Sequence, residues 1–306
     1  MYRFNKVQHL NLLLAILLGL LSASCGEYQA ILKSQDNELW YQKGMEYYSA
    51  GDYAKAANLL GGVLTHYAGT SQYDSLVTTY SYALVQLGDY YTAAHYFSDY
   101  VRTYPSSSKC KDCQYMAGYC YYMLSPKVEL DQSDTQSAID ELLLYINLYP
   151  NADKVHDAEL MVQEMEDKLA YKAYLSAKLY FDLGNYMGNN YNSAVITAQN
   201  CLKKYPDTIH REELSFLILR AKFIQADRSI LAKQADRYRD AIDEYYSFIN
   251  DFPVSKFRPD ADKILARSER GLANVEKLIP PSDDDMDYYR NYGQRQKRNT
   301  QNIQED

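Results

Sequence analysis

A repeated spacing constrains the fold of this chain more than any other feature of its sequence. An aromatic residue followed by proline occurs at four places, and in each an alanine lies twelve residues before the proline. The pairs are Ala93 with Pro105, Ala138 with Pro150, Ala194 with Pro206, and Ala241 with Pro253. A fifth copy without its proline begins at Ala56, twelve residues before Ala68. A fixed offset of this kind indicates one supersecondary unit repeated about five times.

Composition and turn residues predict that each unit is a pair of helices. The chain of 306 residues has only 13 glycines and 8 prolines but 33 tyrosines, which favours helices with half-buried rings over an all-β fold. The strings 51–53 and 88–90 both read Gly-Asp-Tyr. Glycine adopts the positive φ that a tight turn between two helices requires. We therefore predict an all-α fold.

The units resemble tetratricopeptide repeats, in which small residues let two antiparallel helices approach closely and proline ends the second helix. The matching residues are Trp40, Gly44, Tyr47, Ala56 and Leu60 in the first copy, and Ser81, Leu84, Ala93, Phe97 and Pro105 in the second. The resemblance implies a superhelix of about five helical hairpins over residues 36–270. Longer connections are expected at 125–135, 184–190 and 226–238.

The N-terminal sequence predicts export and lipidation. Arg3 and Lys6 precede an apolar run at 10–21, which as a helix is about 18 Å long and too short for a hydrocarbon core of about 30 Å. We predict a signal peptide at 1–24, followed by an anchor and linker at 25–35. Residues 22–25, Ser-Ala-Ser-Cys, resemble a bacterial lipobox, although serine replaces its usual leucine. The prediction is lipidation of Cys25; the alternative is ordinary cleavage after Ala23 or Ser24.

Charge and motifs argue against nucleic-acid binding and catalysis. The formal charge is −8, and no nucleotide-binding or hydrolase motif occurs. The CxxC at Cys110 and Cys113, with Cys120, lacks a nearby fourth ligand for zinc, since Cys201 lies two repeats away. We predict structural cysteines, with a local disulfide as an alternative, and no metal, cofactor or enzymatic activity. The polar residues 271–306, with an acidic run at 283–285, are expected to be a disordered tail.

A groove for a peptide is the candidate binding site. In tetratricopeptide repeats the groove positions are the fifth, ninth and twelfth residues of each first helix. Here they are Tyr41, Met45, Tyr48, Thr78, Tyr82, Val85, Tyr115, Tyr119 and Tyr122. Six of the nine are tyrosine, whose ring offers apolar area and a hydroxyl at low entropic cost. The alternative is that these rings pack between repeats, because tyrosine is common throughout the chain.

A lipobox followed by five tetratricopeptide-like pairs resembles the BamD family of outer-membrane lipoproteins. The closest strings are 51–56, 88–93 and 204–208. The resemblance implies an outer-membrane scaffold, lipid-anchored and facing the periplasm, that binds the barrel subunit of the β-barrel assembly machinery, other lipoprotein subunits, and unfolded outer-membrane proteins. The family often uses an arginine for the barrel subunit where this chain has residues 196–198, so no residue is assigned to that contact. The alternative function is another membrane-anchored adaptor of the cell envelope or of nutrient uptake.

Overall fold

A computed structural model describes residues 26–279, which contain twelve helices and no strand. Residues 26–34 lie in α1. The helices after it are α2 (Asn37–Ser49), α3 (Tyr53–Tyr67), α4 (Tyr73–Gln86), α5 (Tyr90–Thr103), α6 (Cys110–Leu124), α7 (Ser133–Leu148), α8 (Val155–Leu183), α9 (Asn190–Lys204), α10 (Arg211–Asp227), α11 (Leu231–Asp251) and α12 (Arg258–Leu278). The predicted all-α fold is confirmed. The chain divides into two compact units at residues 165 and 166, within α8.

The first unit contains three helical pairs, α2 with α3, α4 with α5, and α6 with α7. Each pair also packs on the next through α3 with α4 and α5 with α6. The two Gly-Asp-Tyr strings form the predicted turns, since Gly51 and Gly88 have φ of 81° and 78°. The aspartates after them begin the second helices: Asp52 accepts a hydrogen bond from the Lys55 amide, and Asp89 accepts one from the Thr92 amide.

Small residues produce the close contact within each pair. The repeated alanines Ala56, Ala93 and Ala138 have no exposed surface. Gly44 of α2 packs against α3, where a Cβ added to it would lie 2.5 Å from a methyl carbon of Leu60. A Cβ added to Gly118 would lie 2.7 Å from a methyl carbon of Leu142. The helices therefore meet at a distance that only these small residues allow, which is the packing of a tetratricopeptide-like repeat.

The second unit comprises the end of α8 and helices α9 to α12. Its core includes the repeated alanines Ala194 and Ala241, both fully buried. Helix α10 packs against α9, α11 and α12. The phenol of Tyr245 donates a hydrogen bond of 2.7 Å to Asp262, which joins α11 to α12. The same helical-pair packing is thus present in this unit.

Three predicted boundaries differ from the structure. Residues 26–34 of the predicted linker are helical, because Ile31 is buried and its carbonyl accepts a hydrogen bond of 2.9 Å from the Trp40 indole. Most of the predicted connection at 226–238 belongs to α10 and α11, whose buried residues include Ala226 and Tyr238. Helix α12 continues past residue 270 to Leu278, and Val275 in this last part is buried. The predicted signal peptide, Cys25 and residues 280–306 lie outside the described residues.

Candidate peptide-binding groove

The nine predicted groove residues lie on the first helices of the three pairs in the first unit. Tyr41, Met45 and Tyr48 are on α2, Thr78, Tyr82 and Val85 are on α4, and Tyr115, Tyr119 and Tyr122 are on α6. Residues four and three apart lie on the same face of a helix, so each set shares one face. Helix α2 also contacts α4 directly.

Two of the nine residues are too buried to form the surface of a groove. Thr78 is 6% exposed and Tyr115 is 7% exposed, whereas the other seven residues are partly exposed. The hydroxyl of Thr78 donates a hydrogen bond to the Asp74 carbonyl within its own helix. These two residues therefore support the face from beneath in this structure, and their contact with a peptide stays a prediction.

The partly exposed tyrosines of α2 and α4 are held by rings of the neighbouring second helix. Tyr41 packs against Tyr67 with ring centroids 5.1 Å apart, and Tyr48 packs against Tyr53 at 5.6 Å. Tyr82 meets Phe97 edge to face at 5.1 Å. These contacts restrict the rotation of each side chain before a ligand binds. Binding a ligand to the rings therefore costs little additional side-chain entropy.

Tyrosines of α6 form a second cluster. Tyr119 stacks on Tyr115 with centroids 6.4 Å apart and meets the edge of Tyr90 at 6.5 Å. The Tyr122 hydroxyl donates a hydrogen bond of 2.7 Å to Glu164, and the Lys154 ammonium lies 4.6 Å from the centre of the Tyr115 ring. The α6 face therefore combines aromatic area with one acidic and one basic group.

Burial and hydrogen bonding raise the pKa values of these phenols further above neutral pH. Burial raises the pKa of Tyr82 well above its ordinary value, and burial also raises the pKa of Tyr119. The hydrogen bond to Glu164, followed by burial, raises the pKa of Tyr122 to about 12. A phenol is protonated at pH 7 even without these shifts, and the single hydroxyl proton of Tyr122 is already donated to Glu164.

A polar cluster beside the face was not predicted from the sequence. The Lys109 ammonium lies 2.6 Å from the Asp74 carboxylate and 3.3 Å from the Thr78 hydroxyl, and Tyr100 donates a hydrogen bond to Asp74. Burial opposes ionisation of Asp74, but the bonds from Lys109 and Tyr100 prevail and hold its pKa below the ordinary value. The cluster joins the start of α4 to the residue that precedes α6.

The cysteines are buried packing residues in the described part of the chain. Cys110, Cys113, Cys120 and Cys201 are free thiols, so the alternative of a local disulfide between Cys110 and Cys113 is not observed. Burial raises the pKa of Cys113 and of Cys120 to about 12, which keeps both thiols protonated and unreactive. Between residues 26 and 279, no group of three His, Cys, Asp or Glu side chains is arranged to hold a metal ion. No helix in that range is both long and apolar enough to cross a membrane.

Comparison with known sequences decides the family. The sequence profile of the family YfiO, described as "Outer membrane lipoprotein", matches residues 33–213 and 183–302. The chain belongs to this family. The two overlapping matches together cover both units and most of the chain. The resemblance drawn from the lipobox and the repeats is thereby confirmed.

Curated relatives of this chain include three BamD proteins. The putative outer membrane protein assembly factor BamD of Aquifex aeolicus is 26% identical over 77% of this chain and 78% of its own length. The outer membrane protein assembly factors BamD of Caulobacter vibrioides and Rickettsia prowazekii are each 23% identical, over 77% and 58% of this chain and 72% and 69% of their own lengths. Among solved structures, the TPR2AB domain of yeast Sti1 aligns over 79% of this chain and 92% of its own with 16% identity and a TM-score of 0.32. The fold assignment rests on the helical pairs described above.

Proposed function

We propose that this protein is a lipid-anchored periplasmic scaffold of the outer-membrane β-barrel assembly machinery. The observation that carries the proposal is the match of the outer-membrane lipoprotein family over both units, together with relatives that are named assembly factors. The proposed role is to bind the barrel subunit, other lipoprotein subunits and unfolded outer-membrane proteins. No catalytic step is part of this role.

The membrane anchor in this proposal is Cys25. Its thiol would carry lipid after cleavage of residues 1–24, since Ser-Ala-Ser-Cys follows an apolar run of signal-peptide length. Two or three acyl chains, at about 0.8 kcal/mol per buried CH₂ group, hold a protein stably on one leaflet. An anchor near the start of the first unit would hold the repeats beside the membrane while leaving their faces open to partners.

The substrate site in this proposal is the tyrosine-rich face of α2, α4 and α6. Its partly exposed members are Tyr41, Met45, Tyr48, Tyr82, Val85, Tyr119 and Tyr122. The rings of Tyr41, Tyr48 and Tyr82 are already packed on a second helix and present apolar area at a small entropic cost, and a phenol hydroxyl can also donate a hydrogen bond. An unfolded β-barrel strand alternates apolar and polar side chains. The tyrosine rings can contact the apolar side chains, and the tyrosine hydroxyls can contact the polar ones.

Depletion of the protein in its host tests the proposed role. If the protein serves barrel assembly, outer-membrane β-barrel proteins should fall several-fold in the membrane fraction, while lipoproteins unrelated to the machinery stay at their normal level. Restoration by the wild-type chain is the control for side effects of depletion. An unchanged amount of folded β-barrel proteins would reject the proposed function.

A further inference from the structure

Helix α1 runs antiparallel to α2, which places the start of α1 beside the turn between α2 and α3. The Ile31 carbonyl accepts a hydrogen bond of 2.9 Å from the Trp40 indole near the start of α2. Closer to the start of α1, the centre of the Tyr28 ring lies 5.9 Å from that of Tyr47, near the end of α2, and 5.6 Å from the Lys55 ammonium in α3. The N-terminal end of α1 therefore points to the α2–α3 turn.

Contacts with α2 and α3 hold α1 against the first helical pair. The Tyr28 hydroxyl accepts a hydrogen bond of 2.6 Å from the Asn58 side-chain amide, and Ile31 is buried. Gly26 belongs to α1, and adjacent Cα atoms lie about 3.8 Å apart, which applies to Gly26 and Cys25. Lipid on Cys25 would therefore be attached beside the α2–α3 turn, with one peptide bond between the lipidated residue and the first helix.

The turns inside the second and third pairs lie at the same edge of the first unit as this attachment point. Connections of five or six residues, at 68–72 and 104–109, join one pair to the next, and α3 packs on α4 and α5 on α6. Successive helices are therefore antiparallel, so α2, α4 and α6 run in one direction. The turns at 50–52, 87–89 and 125–132 are then side by side, and we call this edge of the first unit the turn edge.

Large apolar side chains are exposed at the turn edge. They are Leu87 and Tyr91 at the second turn and Met123 and Leu130 at the third, with exposed fractions from 42% for Met123 to 70% for Tyr91. Tyrosine favours the headgroup level of a bilayer, and apolar side chains such as leucine enter the boundary of the acyl chains. A single anchor leaves a protein free to rotate. Contacts at the second and third turns, about 10 and 20 Å from the first, would restrict that rotation.

Charged side chains at the turn edge indicate the kind of lipid that it fits. The exposed ones in the second and third turns are Asp89, Lys127, Glu129 and Asp131, three acids and one base. Acidic lipid headgroups would repel this excess of carboxylates, whereas zwitterionic headgroups carry no net charge. The turn edge is therefore suited to a leaflet of zwitterionic lipid.

We propose that the turn edge of the first unit rests on a leaflet of zwitterionic lipid, with the side chains of Leu87, Tyr91, Met123 and Leu130 among the headgroups. This inference rests on the proposed lipidation of Cys25, which supplies the first point of attachment. The axes of α2, α4 and α6 then point towards the membrane. Their tyrosine-rich face consequently stands to one side of the contact and stays open to a peptide.

Fluorescence quenching of the lipidated protein on vesicles tests this contact. An environment-sensitive fluorophore is attached at Leu87→Cys or Leu130→Cys, and the protein is bound to vesicles of phosphatidylcholine and phosphatidylethanolamine that contain a headgroup nitroxide lipid. We expect several-fold quenching at both positions. The matched control is Leu148→Cys, which is 54% exposed at the end of α7, on the opposite edge, and should not be quenched. Protein without an added cysteine measures any labelling of the buried thiols.

Flotation of the vesicles separates a failure of this inference from a failure of the proposed anchor. Protein that floats with the vesicles but is not quenched at residues 87 and 130, or is quenched equally at residue 148, would overturn the membrane contact and leave the lipid anchor in place. Protein that does not float would reject lipidation of Cys25, and this inference with it.

Hydrogen exchange measured by mass spectrometry gives a second readout without a fluorophore. Amides at 87–91 and 125–132 should exchange several-fold more slowly in the vesicle-bound protein than in the variant Cys25→Ala in solution. Amides at 104–109 and 149–154 lie in connections at the opposite edge, so they should exchange equally in both and serve as the internal control. Protection of both edges, or of neither, would contradict the proposal.

Discussion

The ammonium of Lys109 lies 2.6 Å from the carboxylate of Asp74, and this contact joins the second helical pair to the third. Both side chains are more than a third exposed, so water partly screens the pair. Tyr100 also donates a hydrogen bond to Asp74, and the Lys109 ammonium lies 3.3 Å from the Thr78 hydroxyl. The network fixes the register of α4 against the start of α6, beside the tyrosine-rich face.

Removing the ammonium should destabilise the first unit in a pH-dependent way. Lys109→Met is expected to lower the free energy of unfolding by about 1 kcal/mol at pH 7. Because the folded-state pKa of Asp74 is lowered, the stabilisation is present above the unfolded-state pKa and is lost as the pH falls through the folded-state value. Urea unfolding at pH 7 and near pH 3 should therefore show a smaller difference between variant and wild type in acid. An equal difference at both pH values would contradict the ion-pair account.

The glycines between paired helices should not tolerate larger side chains. Gly118→Leu is expected to destabilise the protein by about 1–3 kcal/mol, because even a Cβ would lie 2.7 Å from Leu142 and 3.1 Å from its backbone nitrogen. The control Gly26→Leu introduces the same side chain where a Cβ meets nothing within 4 Å. Thermal unfolding followed by circular dichroism compares the two. A similar melting temperature for both variants would show that the close approach of α6 and α7 is not needed.

Much of this fold follows from the sequence because the repeat fixes local packing. The offset between alanine and proline predicts the second helices, and the two Gly-Asp-Tyr strings predict turns with positive φ at Gly51 and Gly88. The ends of the array are harder to predict. Helices α1 and α12 lack the repeat's signature, and tertiary burial of Ile31 and Val275 accompanies their helical structure.

The site is less predictable than the fold. Helical spacing correctly assigns the nine positions to three first helices, but it does not determine the depth of burial. Thr78 and Tyr115 are buried, and residues distant in the sequence contact them: Lys109, just before α6, lies beside Thr78, and Tyr145 of α7 packs against Tyr115. The ion pair of Lys109 with Asp74 joins residues 35 positions apart, and nothing in a local pattern indicates that pairing.

The tyrosine-rich face should lose affinity for peptides when an exposed ring is removed. Tyr119→Ala should weaken binding of a labelled peptide with an aromatic C-terminal residue by about tenfold, as expected for loss of about 1–1.5 kcal/mol. The control Tyr91→Ala removes a ring that is 70% exposed on the second helix α5. Fluorescence anisotropy measures the affinity, and circular dichroism checks that both variants keep their helices. The same affinity in both variants would remove Tyr119 from the binding site.

The buried thiols should be unreactive in the folded protein. Cys113 and Cys120 are protonated at pH 8 because burial raises the pKa of each to about 12, and reagents also have little access to them. Alkylation by iodoacetamide, mapped by mass spectrometry, should be at least 100-fold slower in the native protein than in urea. Rapid labelling of either thiol without urea would show that α6 opens readily.

The proposed lipid anchor gives a direct prediction for membrane association. Cys25→Ala removes the acceptor thiol, so the variant should move from the membrane fraction to the soluble fraction after cell lysis. A high-salt wash of the membranes separates lipid anchoring from retention by protein partners. A variant that remains in the salt-washed membranes as fully as the wild type would reject lipidation at Cys25 as the attachment.

The most direct test of the proposed function is purification of the tagged native protein in mild detergent, followed by mass spectrometry of the proteins that remain bound. A scaffold of barrel assembly should retain a large β-barrel protein with periplasmic domains at a nearly equal molar ratio, together with smaller lipoproteins. Recovery of a different envelope complex, with the barrel protein absent, would contradict the proposed function and leave the repeat fold unaffected.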